Sequence, residues 1–178
     1  TDGMQLLLNF AQKVCGCTTW WTYEAFVERA VENIQQLVGD GRAVCAMTGG
    51  LDSGVSAILG YKALGSRLKG IFIDTGLLRD GEAKQVLSFY RDQLGMDITH
   101  VQAQERFLTA LEGVEDADKK RTIIGVTLQS ILDECMAEIG DVSAVLRGTN
   151  CNDILTQSER TRRPAPMADV PVIEPLRE

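Results

Sequence analysis

The pattern of apolar and polar positions divides the chain into alternating helices and strands. Two helical repeats come first, at Met4 to Val14 and Tyr23 to Val38, where apolar residues recur every three or four positions. Short, almost continuous apolar runs then indicate buried strands, and a helical stretch follows each of the first three. The strands are expected at Ala43 to Met47, Leu68 to Ile73, Ile98 to Val101 and Ala144 to Leu146, and the helices at Val55 to Leu64, Asp80 to Leu94, Arg106 to Leu111 and Lys119 to Ile139.

This alternation is typical of parallel strands joined by right-handed helical crossovers. It predicts a single α/β domain with a doubly wound parallel sheet and helices on both faces. A further strand is expected at Val170 to Ile173, and Glu174-Pro175 resembles the opening of a helix because proline suits a first helical turn. Ligands bind such sheets at the carboxyl ends of the strands, so the loops after strands are the first places to search for a site.

The strongest chemical signal is the loop from Thr48 to Gly54, Thr-Gly-Gly-Leu-Asp-Ser-Gly, which lies between the first buried strand and the helix after it. Its three glycines let the backbone approach a ligand closely, and free amides at a helix start favour an anion. The hydroxyls of Thr48 and Ser53 add donors. The carboxylate of Asp52 would repel phosphate unless Mg²⁺ bridged the two, so this residue indicates a metal-bound polyphosphate.

Two familiar nucleotide loops do not fit this segment. A Walker loop needs Lys followed by Ser or Thr where this chain has Val55-Ser56, and there is no G-x-G-x-x-G run for a dinucleotide. The remaining alternative is a glycine-rich turn that serves only the geometry between strand and helix.

Composition excludes several other classes of function. The 178 residues carry 18 Lys and Arg against 25 Asp and Glu, and a net charge of −7 disfavours nucleic acid as a partner. His100 is the single histidine, so a histidine-rich metal cage and paired-histidine catalysis are excluded. The odd count of five cysteines, with no leader segment and no apolar run of about 20 residues, predicts a cytoplasmic protein without a membrane span.

The loop and the segments around it resemble those of a known protein family. The loop from Thr48 to Gly54 resembles the Ser-Gly-Gly-x-Asp-Ser pyrophosphate loop of the N-type ATP pyrophosphatases, the PP-loop superfamily, and the surrounding chain resembles the synthetase part of glutamine-hydrolysing GMP synthase. The matching stretches occur in the family's order at Gln5 to Cys17, Trp21 to Ile34, Ile71 to Gly81, Ile98 to Leu108, Lys120 to Gly125, Gly148-Thr149 and Val172 to Glu178.

The resemblance implies a ligase that forms a C–N bond on an adenine-nucleotide alpha-hydrolase-like fold. ATP would adenylate the 2-oxygen of xanthosine monophosphate (XMP) with release of pyrophosphate, and ammonia would then displace AMP to give GMP. Catalysis of this kind is mostly alignment and charge stabilisation, and it needs no histidine base.

The resemblance also implies the site residues. Asp52 would be the Mg²⁺ ligand and, with Ser53, a catalytic residue. ATP and its pyrophosphate would be held by Thr48, Gly49, Gly50, Leu51, Asp52, Ser53, Gly54, Asp74, Thr75 and Gly76, XMP by Arg121, and Gly148, Thr149 and Asp153 are further candidates. Two alternatives stay open, because Asp74 would equally serve to cap a turn and Arg121 would equally lie on a solvated helix face.

The family pattern further implies a division of the chain and its partners. Residues 1–22 would be a linker and helix leaving a glutaminase domain, and residues 23–178 an ATP pyrophosphatase domain truncated before the C-terminal dimerisation domain. That fragment is expected to be inactive alone. The family's glutaminase uses a Cys-His-Glu arrangement, and the one histidine of this sequence, His100, lies on a predicted strand of the synthetase part. Ammonia would therefore come from a glutaminase domain or subunit.

Three departures from the family keep other functions open. Gly54 replaces a serine, Asn150-Cys151-Asn152 replaces Leu-Tyr-Pro, and the loop Ser158 to Met167 is shorter and offers arginines in place of histidines. The alternatives are another amidating or thiolating PP-loop enzyme, such as one like NAD synthetase, and a degenerate paralogue that binds ATP without catalysis.

Overall fold

The computed structural model describes residues 2–18, 22–149 and 172–175. The helices are α1 (Gly3–Asn9), continued by a π-helical segment (Phe10–Val14), α2 (Tyr23–Val38), α3 (Leu51–Leu64), continued by a 3₁₀ turn (Gly65–Arg67), α4 (Glu82–Leu87), continued by a π-helical segment (Ser88–Gln93), α5 (Gln104–Leu111) and α6 (Ala117–Ile139). The strands are β1 (Arg42–Met47), β2 (Leu68–Asp74), β3 (Ile98–Gln102), β4 (Val142–Arg147) and β5 (Val172–Pro175).

The five strands form one sheet in the order β3-β2-β1-β4-β5. The first four are mutually parallel, as the alternating pattern predicts, whereas β5 pairs antiparallel with β4. The expected helix opening at Glu174-Pro175 is wrong, because Glu174 pairs with Val145 and Pro175 with Ala144 in this strand pair. Proline has no amide hydrogen to donate, and it is tolerated at the end of a strand and at a sheet edge.

The helices cover the sheet on both faces and bury two separate cores. Residues of α2 and α3 pack on one face with Ala43, Cys45 and Met47 of β1, and residues of α5 and α6 pack on the other face with Val44. The alternation along β1 is the ordinary consequence of a strand whose successive side chains point to opposite faces. The doubly wound fold is therefore confirmed.

The crossover helices place a crevice at one point of the sheet. The chain leaves β1 through α3 on one face, and it enters β4 from α6 on the other face. A crevice consequently opens between the carboxyl ends of β1 and β4, which is where ligands bind in open sheets of this kind.

The N-terminal helix differs from the others in its burial. The predicted helix from Met4 to Val14 is present as α1 and its π-helical extension, yet neither segment buries a residue, and Leu6 and Val14 are both 71% exposed. Across the described parts of the chain, no helix combines the length and the apolar character that crossing a membrane requires.

Candidate functional site in the crevice

The glycine loop follows the carboxyl end of β1 and includes the first turn of helix α3, which begins at Leu51. Gly49 has a φ of +87°, a left-handed conformation that side chains rarely adopt, and a Cβ there would lie 3.2 Å from Cδ2 of Leu78. Gly50 is the N-cap of α3 and provides no side-chain acceptor for the first helical turn. Backbone amides at such a helix start are suited to an anionic ligand.

The two polar side chains of the first turn have different surroundings. Ser53 is nearly buried; its Oγ donates to the Gly50 carbonyl at 3.0 Å and accepts from the Thr48 amide at 3.4 Å. Asp52 is exposed. Ser53 therefore holds the loop closed in this structure, while the carboxylate of Asp52 is accessible to a cation that accompanies a ligand.

The end of β4 packs directly against this loop. A Cβ on Gly148 would overlap the backbone of Asp52 and Ser53, so only glycine allows this approach. The carbonyl of Arg147 accepts hydrogen bonds from the buried Ser56 hydroxyl at 3.4 Å and from the Thr149 amide at 3.1 Å. The carboxyl ends of β1 and β4 are thus fixed on either side of the first turn of α3.

A cavity of about 280 Å³ occupies the crevice. One part of its wall is apolar and comes from the sheet and α6, with Ala46, Ile73, Leu128 and Leu132. The other part is polar and comes from the loop and the end of β4, with Thr48, Ser53, Arg147, Gly148 and Thr149. An apolar wall beside a group of hydrogen-bond donors is typical of a small-molecule site.

The segment from Asp74 to Gly76 holds a turn at the end of β2. The Asp74 carboxylate is buried and accepts from the Gly76 amide and from Nε2 of Gln104, both at 3.0 Å, and Nε2 of His100 lies 3.9 Å from its Oδ2. The Thr75 hydroxyl accepts from the Leu77 amide at 3.3 Å. In this structure the side chain of Asp74 therefore caps the turn, and its neighbour Ile73 lines the cavity.

Of the remaining predicted residues beyond the loop, Arg121 lies on α6 outside the cavity lining, and the others lie outside the described residues. Arg121 is 78% exposed on α6, and its Nη1 lies 3.6 Å from Oδ1 of Asp118. It precedes Gly125, which lines the cavity, by one helical turn, so both positions share one side of the helix. Asp153, Asn150-Cys151-Asn152 and the loop Ser158 to Met167 lie outside the residues that the structure describes.

Cys45 lies beneath the loop and is fully buried, with its Sγ 4.0 Å from the Ser53 carbonyl oxygen. Burial raises the pKa of this thiol from 9.0 to about 12. The reactive form of cysteine is the thiolate, which this environment suppresses. Cys45 is therefore a core residue, as its position in a buried strand predicts.

Two side chains of the cavity were missed by sequence reasoning. Nη2 of Arg147 donates to Oε1 of Gln129 at 2.6 Å, and both residues line the cavity. The available signal was the position of Arg147, which directly precedes the Gly148-Thr149 pair at the end of a predicted strand. Gln129 gave no such signal, because it is one polar residue within a long helix.

The donor set fits a magnesium ion that arrives with a nucleotide. Within residues 2–18, 22–149 and 172–175, no group of three or more His, Cys, Asp and Glu side chains is placed to hold a metal. Mg²⁺ commonly uses only one or two carboxylates and takes its remaining ligands from phosphate oxygens and water. The exposed carboxylate of Asp52, in the first turn of α3, meets that requirement.

Comparison with known proteins gives relatives by sequence and by fold, although no protein-family model matches the chain. Over 159 residues, 89% of the chain, it is 40% identical to the glutamine-hydrolysing GMP synthase of Carboxydothermus hydrogenoformans and 43% identical to that of Staphylococcus epidermidis. The chain spans 31% of the length of each of these relatives.

Two solved structures share the fold at low sequence identity. An NH3-dependent NAD synthetase from Campylobacter jejuni has a TM-score of 0.61 at 16% identity, covering 77% of this chain and 61% of the other. The U34-tRNA thiolase NcsA from Methanococcus maripaludis has a TM-score of 0.62 at 15% identity, covering 80% of this chain and 52% of the other.

Proposed function

Since this chain is a homologue of the glutamine-hydrolysing GMP synthases and has the adenine-nucleotide alpha-hydrolase fold of the PP-loop ATP pyrophosphatases, we propose that its crevice binds ATP and adenylates XMP. The observation that carries the proposal is the position of the glycine loop. It starts helix α3 at the crevice between β1 and β4 and borders a cavity with an apolar wall.

The loop and the apolar wall suit different parts of ATP. The amides of the first turn of α3 and the hydroxyl of Thr48 would bind the terminal phosphates, which carry most of the charge. The apolar surface of Ile73 and Leu128 would receive the adenine ring. Asp52 would hold Mg²⁺, which when bound neutralises phosphate charge and so favours departure of pyrophosphate. Ser53 would keep the loop in its binding shape.

The reaction is a transfer at the α-phosphorus of ATP. A bond forms between the 2-oxygen of XMP and the α-phosphorus, the bond from that phosphorus to the bridging oxygen breaks, and its electron pair leaves with pyrophosphate. Ammonia then displaces AMP, giving GMP. The residues of the crevice act in the first step by alignment and by binding the leaving group. Arg121, one helical turn before the cavity-lining Gly125 on α6, would contact the XMP phosphate through its guanidinium.

Two partners belong to this proposal. Ammonia would come from a glutaminase domain or subunit, because His100 is the chain's one histidine and lies on β3 beside Asp74. Residues 1–22 would connect to that glutaminase, and residues 23–178 would form the ATP pyrophosphatase domain. Dimerisation through a C-terminal domain is part of the same proposal, since the chain spans 31% of its relatives' length.

Calorimetry with Mg·ATP tests the site. We expect the wild-type chain to bind Mg·ATP and Asp52→Asn to bind it about tenfold (about 1.4 kcal/mol) more weakly, because a neutral amide is a weaker Mg²⁺ ligand than a carboxylate. In the presence of EDTA, metal-free ATP should bind Asp52→Asn at least as tightly as wild type, because the neutral amide removes the repulsion between the Asp52 carboxylate and phosphate. Asp92→Asn, an exposed acid on the π-helical continuation of α4, is the matched control. Equal Mg·ATP affinity of wild type and Asp52→Asn would contradict the role given to Asp52.

Pyrophosphate–ATP exchange in the full-length protein tests the substrate. Exchange that requires XMP is the expected result. Exchange that requires another nucleotide would favour a different amidating or thiolating PP-loop enzyme, and Mg·ATP binding with no exchange under any nucleotide would favour a non-catalytic paralogue.

A further inference from the structure

A half-buried arginine, Arg147, ends strand β4 and lines the cavity together with Thr48 and Ser53. Among the described residues that line this cavity, it is the one that carries a charge. A guanidinium stays protonated at every physiological pH and presents five donors in a planar fork, a geometry that matches phosphate oxygens. In a cavity whose other described lining residues are uncharged, a guanidinium is suited to bind an anionic group of a ligand.

The structure fixes this guanidinium from two directions. The backbone of Arg147 is tied to α3, because its carbonyl accepts from the buried Ser56 hydroxyl and the next residue, Gly148, packs on the loop backbone. The side chain is oriented from α6 by Gln129, whose Oε1 lies 2.6 Å from Nη2 and whose Nε2 donates to Asp133 at 2.7 Å. A charge held in this way is positioned before the ligand binds, which favours tight and specific contact.

The anion is identified by where the cavity places the parts of ATP, so the inference rests on the proposed function. Thr48, Ile73 and Leu128 all line the cavity. With the terminal phosphates on the loop at Thr48 and the adenine against Ile73 and Leu128, as proposed, the α-phosphate would lie between these two regions. Arg147 borders the same space. We propose that the guanidinium of Arg147 binds the non-bridging oxygens of the α-phosphate, the phosphate at which the reaction occurs.

This contact would also serve the chemistry. While the new bond to the α-phosphorus forms and pyrophosphate departs with the electron pair, the non-bridging oxygens remain negatively charged. A guanidinium aimed at them stabilises that charge without reorganisation. The bidentate geometry of arginine is needed for this role, and a lysine at the same position would supply only a point charge.

Competition calorimetry with three probes tests the contact. Arg147→Gln should bind Mg·ATP at least tenfold more weakly than wild type, while its affinities for Mg·pyrophosphate and for adenosine change less than about threefold, since neither probe carries the α-phosphate of a nucleotide. The affinity of Arg147→Lys for Mg·ATP should lie between those of wild type and Arg147→Gln. Arg106→Gln is the matched control, because Arg106 also bonds α6, at Glu134 and Ser130, but lies outside this cavity.

Each other outcome overturns the inference. If Arg147→Gln binds Mg·ATP as tightly as wild type, Arg147 does not contact the ligand. An equal loss of affinity for Mg·pyrophosphate would show that Arg147 contacts the leaving group instead. An equal loss of affinity for adenosine would show that it contacts the nucleoside. A similar loss in Arg106→Gln shows a general effect of removing a guanidinium. Wild type that fails to bind Mg·ATP defeats the proposed function itself and is thereby distinguished from these results. Thermal melts of every variant show that it is folded.

Discussion

Gly54 shows how one residue of the loop depends on a distant one. The sequence suggested that glycine at this position merely removes a hydroxyl that the family carries as serine. In the structure a Cβ on Gly54 would overlap the hydroxyl oxygen of Tyr90, and the ring Cζ lies 3.5 Å from the position of that Cβ. Burial, and to a smaller extent Cys45, raise the pKa of Tyr90, so this hydroxyl stays protonated. A side chain at Gly54 would therefore have to displace the Tyr90 hydroxyl.

A double-mutant cycle on Gly54 and Tyr90 tests this packing. Gly54→Ala alone should lower the free energy of unfolding by about 1 kcal/mol, because the new methyl overlaps the hydroxyl and forces it to move. In the background of Tyr90→Phe the same change should stabilise the protein by about 0.5–1 kcal/mol, since alanine is the better helix former and the ring carbon leaves room. Urea denaturation gives both values. The same effect in both backgrounds would contradict the contact.

At the scale of elements, the site depends on how closely β4 and α3 approach each other. The buried side of α3 carries small residues, among them Ser56, Ala57 and Gly60, and a Cβ on Gly60 would crowd Leu146 and Leu68 of the sheet. Small residues let a helix lie close to a sheet, so the loop before α3 comes within reach of the end of β4. The cavity beside the glycine loop is a consequence of that approach.

Gly148→Ala tests the contact between these elements. The added methyl would overlap backbone atoms of Asp52 and Ser53, and no side-chain rotation relieves such an overlap. We expect a loss of about 3 kcal/mol in the free energy of unfolding, measured by urea denaturation, together with weaker Mg·ATP binding.

Gly125→Ala is the matched control. Gly125 also lines the cavity, but a Cβ there meets nothing within 4 Å, so helix propensity should make this variant more stable by up to about 1 kcal/mol. If Gly148→Ala retained wild-type stability, the close approach of β4 to α3 would be wrong.

At the scale of the whole molecule, the buried thiol of Cys45 links stability to pH. Its pKa is 9.0 in an unfolded chain and about 12 in the fold, so the folded protein holds the proton more strongly. The contribution is complete below about pH 9 and is lost as pH rises toward 12, because the unfolded thiol ionises first. At 1.36 kcal/mol per pKa unit, about 2 kcal/mol is lost by about pH 10.5.

Urea denaturation at several pH values between about 8 and 10.5 measures this loss. Cys45→Ala should have lower stability at the start, because it opens a small cavity, but its stability should fall about 2 kcal/mol less over this interval than that of wild type. The exposed Cys15→Ala serves as the control and should follow wild type. Parallel pH curves for wild type and Cys45→Ala would exclude the linkage.

Much of the fold was predictable because its signals are local. The apolar runs of the four parallel strands and the repeats of the helices are present in short windows of sequence, and the family resemblance found in them is confirmed by relatives at 40% identity. The direction of β5 was not predictable, because a strand's partner and direction depend on residues far away in the chain. The same holds for Pro175, which suits a helix start and a strand end equally.

The sequence by itself determined the α/β class and the glycine loop that contains Asp52 and Ser53, because each depends on residue types at short spacing. Only the tertiary structure decided which other side chains meet the loop. It placed Arg147 and Gln129 in the crevice and tied Asp74 into a turn beside it. The reason is physical: the cavity is formed by the ends of separate strands and by α6, and their meeting is a property of packing over long separations in sequence.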